Sequence, residues 1–208
     1  MRDCAPVPDL VPPVLSSDVF FAGDQPVLRG DGLVLRAWRY GDAPALVRAY
    51  ADPELQRWHM RSMDPAEAPV WLAARGRRWQ ERTGVDWAVA AEADDRLLGR
   101  MAIHRLLLHE GLGEVAYWTL PEARGRRVAP RGLALLCDWA FGVQGVHRLE
   151  LGHAVANRAS CRVAERAGFV LEGVRRQELL HADGWHDTHL HARLAGDPAP
   201  PRGALSGR

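Results

Sequence analysis

A stretch rich in arginine and glycine, residues 124–130, restricts the possible fold more than any other part of the chain. It reads Arg-Gly-Arg-Arg-Val-Ala-Pro and lies between a strand pattern over residues 114–120 and a helix pattern over residues 129–141. Free backbone N–H groups and the positive end of the following helix can hold a diphosphate. An exposed basic turn has the same composition, so the stretch alone leaves both an anion site and a solvated loop open. In either case, a strand, a loop and a helix in direct succession predict an α/β chain.

The rest of the hydrophobic pattern predicts one α/β (α+β) domain with a mixed, mostly antiparallel sheet of six to seven strands and about four flanking helices. Alternation and turn signals place strands at 33–36, 85–91, 97–107, 114–120, 147–153, 169–175 and 178–194, the last broken by Asp183-Gly184. Helical spacing and capping signals place helices at 43–51, 65–82, 129–141 and 158–167.

The composition of the two ends sets the expected domain boundaries. Residues 1–27 carry five prolines, at positions 6, 8, 12, 13 and 26, and are expected to form an extended arm whose apolar residues 19–21 pack against the rest. Residues 28–195 then form the domain. Residues 196–208 are rich in proline, glycine and serine and are expected to be a disordered tail. A chain of 208 residues is long enough for one substantial core.

Charge and cysteine usage exclude several classes of protein. The 27 basic and 26 acidic residues nearly cancel, so no global field favours nucleic acid or an anionic membrane. The three cysteines have no CxxC spacing and no neighbouring histidine in the sequence, which predicts a reducing compartment and no metal site. No apolar run is long enough to span a bilayer, so we expect a soluble, cytoplasmic protein.

Residues 124–129 resemble the diphosphate-binding motif of the GNAT superfamily of N-acetyltransferases, Gln/Arg-x-x-Gly-x-Gly/Ala, with Arg124 first and Ala129 last. Arg127 departs from this motif, because the family usually has glycine there; its side chain either crowds the diphosphate or grips a phosphate. Segments 33–36, 114–118, 157–160 and 165–169 resemble the branch that acetylates the amino termini of ribosomal proteins.

The resemblance implies that acetyl-CoA is the cosubstrate, with no metal, and that its pantetheine arm lies between two central strands that splay apart. It also implies that a backbone N–H near Trp118 to Leu120 faces the thioester oxygen. The acceptor is a primary amine, and the protein is a monomer or a homodimer. The implied cosubstrate-binding residues are Trp118, Thr119, Leu120, Arg124, Gly125, Arg126, Arg127, Val128, Ala129, Asn157 and Ser160.

Acetyl transfer needs a base for the amine and a proton for the departing thiolate. Glu114 is the first candidate base, with His104 and His153 as runners-up that would also line the acceptor side. The resemblance implies that Ser160 is the proton donor. Trp58, His59 and Met60 are expected to select the acceptor, because they lie between the first two predicted helices, which overhang the acceptor in this family.

Other functions remain to be weighed against this one. The acceptor is a protein amino terminus, a polyamine or an aminoglycoside-like molecule, and a catalytically poor acyl-CoA sensor is also possible because of Arg127. A P-loop hydrolase is disfavoured because no Gly-Lys-Ser/Thr follows the loop. Cys161 has no base beside it in the sequence and is not expected to be a nucleophile.

Overall fold

The computed structural model describes residues 10–201, and within them the chain forms one eight-stranded sheet covered by helices. The strands are β1 (Leu28–Gly30), β2 (Leu33–Arg36), β3 (Val85–Ala91), β4 (Leu97–Leu107), β5 (Leu112–Thr119), β6 (Arg148–Ala154), β7 (Val170–His181) and β8 (Gly184–Leu194). The helices are α1 (Ser17–Phe20), α2 (Ala43–Ala51), α3 (Pro53–His59), α4 (Glu67–Gln80), α5 (Val128–Gly142) and α6 (Arg158–Arg166).

The sheet has the order β1-β2-β3-β4-β5-β6-β8-β7. Among the described residues, β5 and β6 form the one parallel pair, and all other neighbours are antiparallel. The parallel pairing covers Leu112–Glu114 and Arg148–Glu150 and stops there. Beyond it, the two strands splay apart, which confirms the mixed sheet with a splayed central pair.

Helices pack on both faces of the sheet because its central strands are apolar on both sides. Strand β3 is buried at six of its seven residues. On one face, Trp118 of β5 contacts Trp38 and Tyr50, next to Trp71 of α4. The following helix, α5, packs against β1, β2, β4 and β5 through residues such as Leu133 and Leu136, both with no exposed surface.

The described part of the proline-rich segment lies against the domain. The backbone N–H groups of Val14 and Leu15 donate to the carbonyls of His109 and Leu108. Phe20 and Phe21 are buried, as expected, and Phe20 contacts Trp139 of α5 edge to face, whereas Val19, which was expected to pack with them, is 71% exposed. Residues 1–9 of the expected arm, and residues 202–208 of the expected disordered tail, lie outside the described residues.

The sheet has eight strands instead of six or seven, and residues 10–201 contain six helices instead of about four. The extra strand β1 is a three-residue partner of β2, and the extra helices α1 and α3 have four and seven residues, which is too short for helical periodicity to reveal. The last hairpin also differs: β7 continues through a bulge after Arg175, with Gln177 at φ 49°, and turns only before Gly184. None of the helices in the described residues is long and apolar enough to cross a membrane.

Candidate active site

A cleft with a volume of about 580 Å³ opens where β5 and β6 part. Its walls include the carboxyl ends of both strands, the loop before α5, the first residues of α6, part of α3 and the end of β7. A gap between two strands exposes backbone groups that a ladder would otherwise pair, so an extended ligand can lie in it. Of the seventeen residues singled out in the sequence, the cleft lining includes Trp58, His59, His104, Glu114, Trp118, Thr119, Arg124, Gly125, Arg127, Val128, Ala129, His153, Asn157 and Ser160.

The loop before α5 has the backbone geometry of an anion site. Gly125 and Arg127 have φ values of 74° and 55°, in the left-handed region, and α5 begins at Val128. The Arg131 guanidinium donates to the carbonyls of Arg126 and Arg127 at 3.0 and 3.2 Å. These bonds hold the loop in place, and the backbone N–H groups of Val128 and Ala129 have no acceptor within the helix because they lie in the first turn of α5, so they can bind a diphosphate in the cleft.

Arg124 lines the cleft but is engaged with carboxylates. Its Nη1 donates to Glu54 Oε2 at 3.0 Å, and its Nη2 donates to Asp52. Asp52 also accepts from the backbone N–H of Leu55 and thereby caps α3. Burial alone would raise the pKa of Asp52, but the bonds from Arg124 and Leu55 bring that pKa below its ordinary value. Arg124 therefore ties the loop to α3.

Asn157 and Ser160 meet at the start of α6. The Asn157 Oδ1 accepts from the backbone N–H of Ser160 at 3.0 Å, which is the expected helix cap. The Ser160 Oγ lies 2.6 Å from the hydroxyl of Tyr117 on β5. Burial raises the pKa of Tyr117, so this phenol keeps its proton at neutral pH.

The N–H groups near Trp118, one of which is expected to face the thioester oxygen, are not all free to bind a ligand. Leu120 is buried outside the cleft lining, and its backbone N–H donates to the Leu98 carbonyl at 2.8 Å. Trp118 and Thr119 do line the cleft, and the buried indole N–H of Trp118 has no hydrogen-bond partner among the described residues. An orphaned donor in a cleft wall is expected to bind a ligand oxygen. Arg126 is exposed and lies outside the lining.

Glu114 lies on β5 in the lining of the cleft, next to His104 of β4. Its Oε1 is 3.6 Å from His104 Nε2, and its Oε2 is 3.9 Å from the Arg105 guanidinium. Partial burial lowers the pKa of His104, and the nearby Glu114 carboxylate opposes that change. Two of the three candidate bases from the sequence, Glu114 and His104, are therefore neighbours.

Helix α3 places Trp58 and His59 in the cleft wall, whereas Met60 ends the helix in the left-handed region, exposed and outside the lining. Burial and the positive charge of Arg100 lower the pKa of His59 to about 4, so its imidazole is neutral at pH 7. Trp58 contacts His181 of β7 edge to face, at 5.8 Å between ring centroids. This contact joins α3 to the last hairpin across the cleft.

His153 reaches the cleft from the end of β6 and is 5% exposed. Its Nδ1 lies 2.9 Å from the Ala154 carbonyl oxygen. Because a carbonyl only accepts, Nδ1 carries the proton in this arrangement and Nε2 has a free lone pair. Burial lowers the pKa of His153, and its neighbours His189 and His191 lower that pKa further.

Sequence reasoning missed Tyr117 of the cleft lining and two residues that support the lining from outside it, Asp52 and Arg131. Tyr117, Asp52 and Arg131 had no assigned role, because each acts through a partner on another element. The alternation of β5 carried one usable signal: Trp118 and Tyr117 are adjacent in the strand and so point to opposite faces. One of them had to face α6.

Comparison with known proteins agrees with this geometry. Residues 32–170 match the family described as the acetyltransferase (GNAT) domain. The uncharacterised N-acetyltransferase YoaA of Bacillus subtilis is 25% identical over 169 residues, which cover 80% of this chain and 96% of that protein. The ribosomal-protein-serine acetyltransferase of Escherichia coli is 28% identical over 101 residues, covering 49% of this chain and 56% of the relative.

A similar fold occurs in a ribosomal L7/L12 alpha-N-protein acetyltransferase solved in complex with coenzyme A. That structure has a TM-score of 0.72 and 20% sequence identity, and the match covers 81% of this chain and 98% of that one. At this level of identity the likeness concerns the fold.

Proposed function

Because this chain belongs to the GNAT acetyltransferase family, we propose that it acetylates the α-amino group of a protein, with a ribosomal protein as the first candidate. The chain is an N-acetyltransferase, and its cosubstrate is acetyl-CoA. The proposal concerns the acceptor and the residues that carry the reaction.

The observation that carries the proposal is the division of one cleft into two chemically different ends. At one end, the loop with Gly125 and Arg127 and the start of α5 suit a diphosphate. At the other end, Glu114, His104 and His59 offer one carboxylate and two imidazoles to an amine. A thioester bound along the splayed strands would reach from the first end to the second.

The residues of the cleft fit the parts of acetyl-CoA in order. The N–H groups at the start of α5 and the side chain of Arg127 bind the diphosphate. The indole N–H of Trp118, which is buried and has no partner within residues 10–201, would donate to a carbonyl oxygen of the cosubstrate once the cleft is occupied. Asn157 is committed to the cap of α6, so its contribution to pantetheine binding comes from the amide N–H₂ that the cap leaves free.

Glu114 and Ser160 divide the proton transfers. The amine loses a proton to Glu114, directly or through water, as its nitrogen bonds to the acetyl carbon. As the carbon–sulfur bond breaks, Ser160 donates its hydroxyl proton to the thiolate. The Tyr117 hydroxyl donates a hydrogen bond to the Ser160 Oγ across their 2.6 Å contact and keeps its own proton, while Ser160 regains a proton from water in the cleft. Glu114 releases the amine proton to water, so each proton has a donor and an acceptor, and no protein nucleophile is needed.

An α-amino group suits this acceptor end better than a lysine side chain does. Its pKa is near 8, whereas that of lysine is about 10.4, so a larger fraction is already unprotonated at neutral pH. The acceptor end also offers one carboxylate, Glu114, which is a weak electrostatic attraction for a polycation. The E. coli relative named for ribosomal-protein serine makes an amino-terminal acceptor the first class to test.

The test is thiol release from acetyl-CoA with matched acceptors, followed by mass spectrometry of the product. One peptide has a free amino terminus and an internal lysine, and its control has the same sequence with a blocked amino terminus. Spermidine and an aminoglycoside complete the panel. Turnover of the first peptide alone, with the acetyl group on its α-nitrogen, is the expected result.

Two other results would overturn the proposal. Turnover with the small amines alone would assign the protein to small-molecule acetylation. Acetyl-CoA binding in calorimetry without turnover of any amine would assign it to acyl-CoA sensing.

A further inference from the structure

Four potential metal ligands converge on one side of α6, next to the cleft but outside the acetyl-transfer steps. They are the imidazoles of His153, His189 and His191 and the thiol of Cys161, and one ligand atom from each lies within 4.8 Å of every other. For brevity, we refer to these four residues as the His3Cys cluster. Their separation in the sequence hides them, since they come from β6, α6 and β8.

The register of the sheet explains why the three histidines share a face. His153 on β6 pairs directly with His189 on the antiparallel strand β8. His191 is two residues further along β8, so its side chain points to the same face as that of His189. Helix α6 covers this face and supplies Cys161, whose Sγ lies 3.9 Å from His191 Nε2.

The spacing of the rings is close to that of a tetrahedral site. The ring centroids are 5.1 Å apart for His153 and His191, 5.3 Å for His153 and His189, and 5.8 Å for His189 and His191. Imidazoles bound to one zinc at 2.0–2.1 Å have centroids roughly 5 Å apart. Small side-chain rotations would therefore bring the nitrogens and the sulfur to bonding distance.

Unpartnered buried nitrogens provide a second, independent observation. His153 is 5% exposed, yet its Nε2 has no hydrogen-bond partner among the described residues, and neither does Nδ1 of the half-buried His189, whereas Nε2 of His191 is the nitrogen that lies beside the Cys161 Sγ. Buried polar atoms without a partner are rare, and two on adjacent rings point to a missing ligand. His153 also has the bond typical of a metal-binding histidine, since its other nitrogen faces the Ala154 carbonyl at 2.9 Å.

We propose that the His3Cys cluster binds a divalent cation of the zinc class. Three imidazoles and one thiolate select zinc or its transition-metal relatives over magnesium and calcium, which prefer oxygen ligands. Binding forms three metal–nitrogen bonds and one metal–sulfur bond, and it displaces one proton from Cys161. Glu165 Oε1, which lies 3.5 Å from the Cys161 Sγ, accepts that proton and passes it to solvent.

The site is accessible and adjoins the acetyl-transfer machinery. His153 lines the cleft, and Cys161 and His189 are half-buried, so an ion enters without unfolding. Cys161 directly follows Ser160, so a bound cation would fix the start of α6 against β6 and β8. The expected consequence is that α6 is held more firmly, so that the metal raises the Tm, which can be measured without an enzymatic assay.

The experiment is titration of the purified chain with Co²⁺, a spectroscopic substitute for zinc. Because Cys4 lies outside the described residues, a Cys4→Ser background removes its thiol, and Cys137 is fully buried. The expected result is one Co²⁺ per chain with a thiolate-to-cobalt charge-transfer band, which Zn²⁺ displaces. The thiolate band distinguishes this cluster from His181, Asp183 and His186, a group of potential ligands without sulfur.

Variants assign the signal to the cluster. Cys161→Ser should abolish the charge-transfer band and weaken binding more than about 100-fold, beyond the 10–100-fold typical of outer-shell changes. His189→Asn should weaken binding similarly, whereas His109→Asn, on an exposed turn, is the matched control and should bind normally. Zinc at 100 times its Kd for the parent should raise the Tm of the parent and of His109→Asn by roughly 5–10 °C, and it should leave the Tm of the two cluster variants nearly unchanged.

Three results would overturn the proposal: no Co²⁺ binding, a Co²⁺ complex without the thiolate band, or equal affinity in the Cys161→Ser and His109→Asn chains. Misfolding of the variants is excluded as the cause of lost binding if the metal-free variants keep the Tm of the parent. The outcome is independent of the acceptor, because none of these readouts involves acetyl-CoA or an amine.

Discussion

Arg127 occupies a backbone position that favours glycine. Its φ of 55° lies in the left-handed region, where a residue with a Cβ costs about 1–2 kcal/mol. This strain explains why the resembling motif has glycine at the same place. The chain retains the arginine at the entrance to α5 and in the wall of the cleft, which is consistent with a role for its guanidinium in phosphate binding.

Two substitutions separate the strain from the charge. Arg127→Ala and Arg127→Gly both remove the guanidinium, but only the glycine variant also removes the Cβ. We expect the glycine variant to be more stable than the alanine variant by about 1 kcal/mol, or roughly 2–4 °C in Tm. Calorimetry with acetyl-CoA then reports the charge: an equal loss of affinity in both variants assigns a phosphate contact to the guanidinium. Equal Tm values for the two variants would contradict the strain argument.

Ser160 can be tested without disturbing the helix that carries it. Asn157 caps α6 through the backbone N–H of Ser160, and alanine keeps that N–H. Ser160→Ala should therefore preserve the Tm and the affinity for acetyl-CoA while kcat falls about 100-fold, as expected for loss of a general acid. Tyr117→Phe removes the partner hydroxyl and should lower kcat less. An unchanged kcat in Ser160→Ala would remove this serine from the mechanism.

At the scale of elements, α3 is the clearest case of a short helix held by its contacts. Seven residues are too few for a stable isolated helix, so packing and capping must hold it. Asp52 caps its start and also binds Arg124 of the diphosphate loop. His59 at its end is half-buried beside the Tyr117 backbone, whose hydrogen bond raises the pKa of His59 against the larger, opposite effect of burial.

The half-buried imidazole of His59 makes stability depend on pH. Its folded pKa is about 4, below the ordinary value of 6.5. Between these values the unfolded chain binds a proton that the folded chain does not, so stability falls as the pH falls from 6.5 to 4. His59→Gln should reduce that fall by on the order of 2 kcal/mol, measured by urea unfolding at pH 7 and pH 4.5.

Comparison with the parent chain is essential for His59, since burial also lowers the pKa values of His104, His153, His181 and His191. His109→Gln, on an exposed turn, is the matched control for replacing a histidine with glutamine. An identical slope in His59→Gln and in the parent would show that His59 does not contribute.

At the scale of the whole molecule, the strand that leads into the cleft depends on close packing of β4 and β5. A Cβ on Gly99 would lie 2.4 Å from the Trp118 carbonyl oxygen and 3.2 Å from the Thr119 Cα. Both neighbours are backbone atoms, so the strands themselves would have to separate. The position of Trp118 and Thr119 in the cleft wall therefore depends on this glycine.

Gly99→Ala should destabilise the fold by roughly 3 kcal/mol and weaken acetyl-CoA binding, as measured by thermal unfolding and calorimetry. Gly173→Ala is the control, because a Cβ at Gly173 on β7 meets nothing within 4 Å. If both variants melt at the same temperature, the close approach of β4 and β5 does not limit stability.

The sequence by itself determined the features that depend on a few neighbouring residues. The alternation of β5, the helical spacing of α5, the Asn157 cap and the loop at Gly125 could all be predicted, because local patterns and backbone preferences decide them. The resemblance of that loop to a known motif then predicted the family and its cosubstrate. The short elements β1, α1 and α3 were missed, since their stability comes from packing.

Only the tertiary structure decided which distant side chains meet. Three sets of contacts join residues that lie at least 30 positions apart in the sequence. They are the Arg124 bond to Asp52, the Tyr117 contact with Ser160, and the contact of Cys161 with His191 in the His3Cys cluster. Such contacts depend on strand register and on which face a helix covers, and a shift of one residue reverses every side chain of a strand. For that reason, only the assembled sheet determines which functional side chains meet in and beside the cleft.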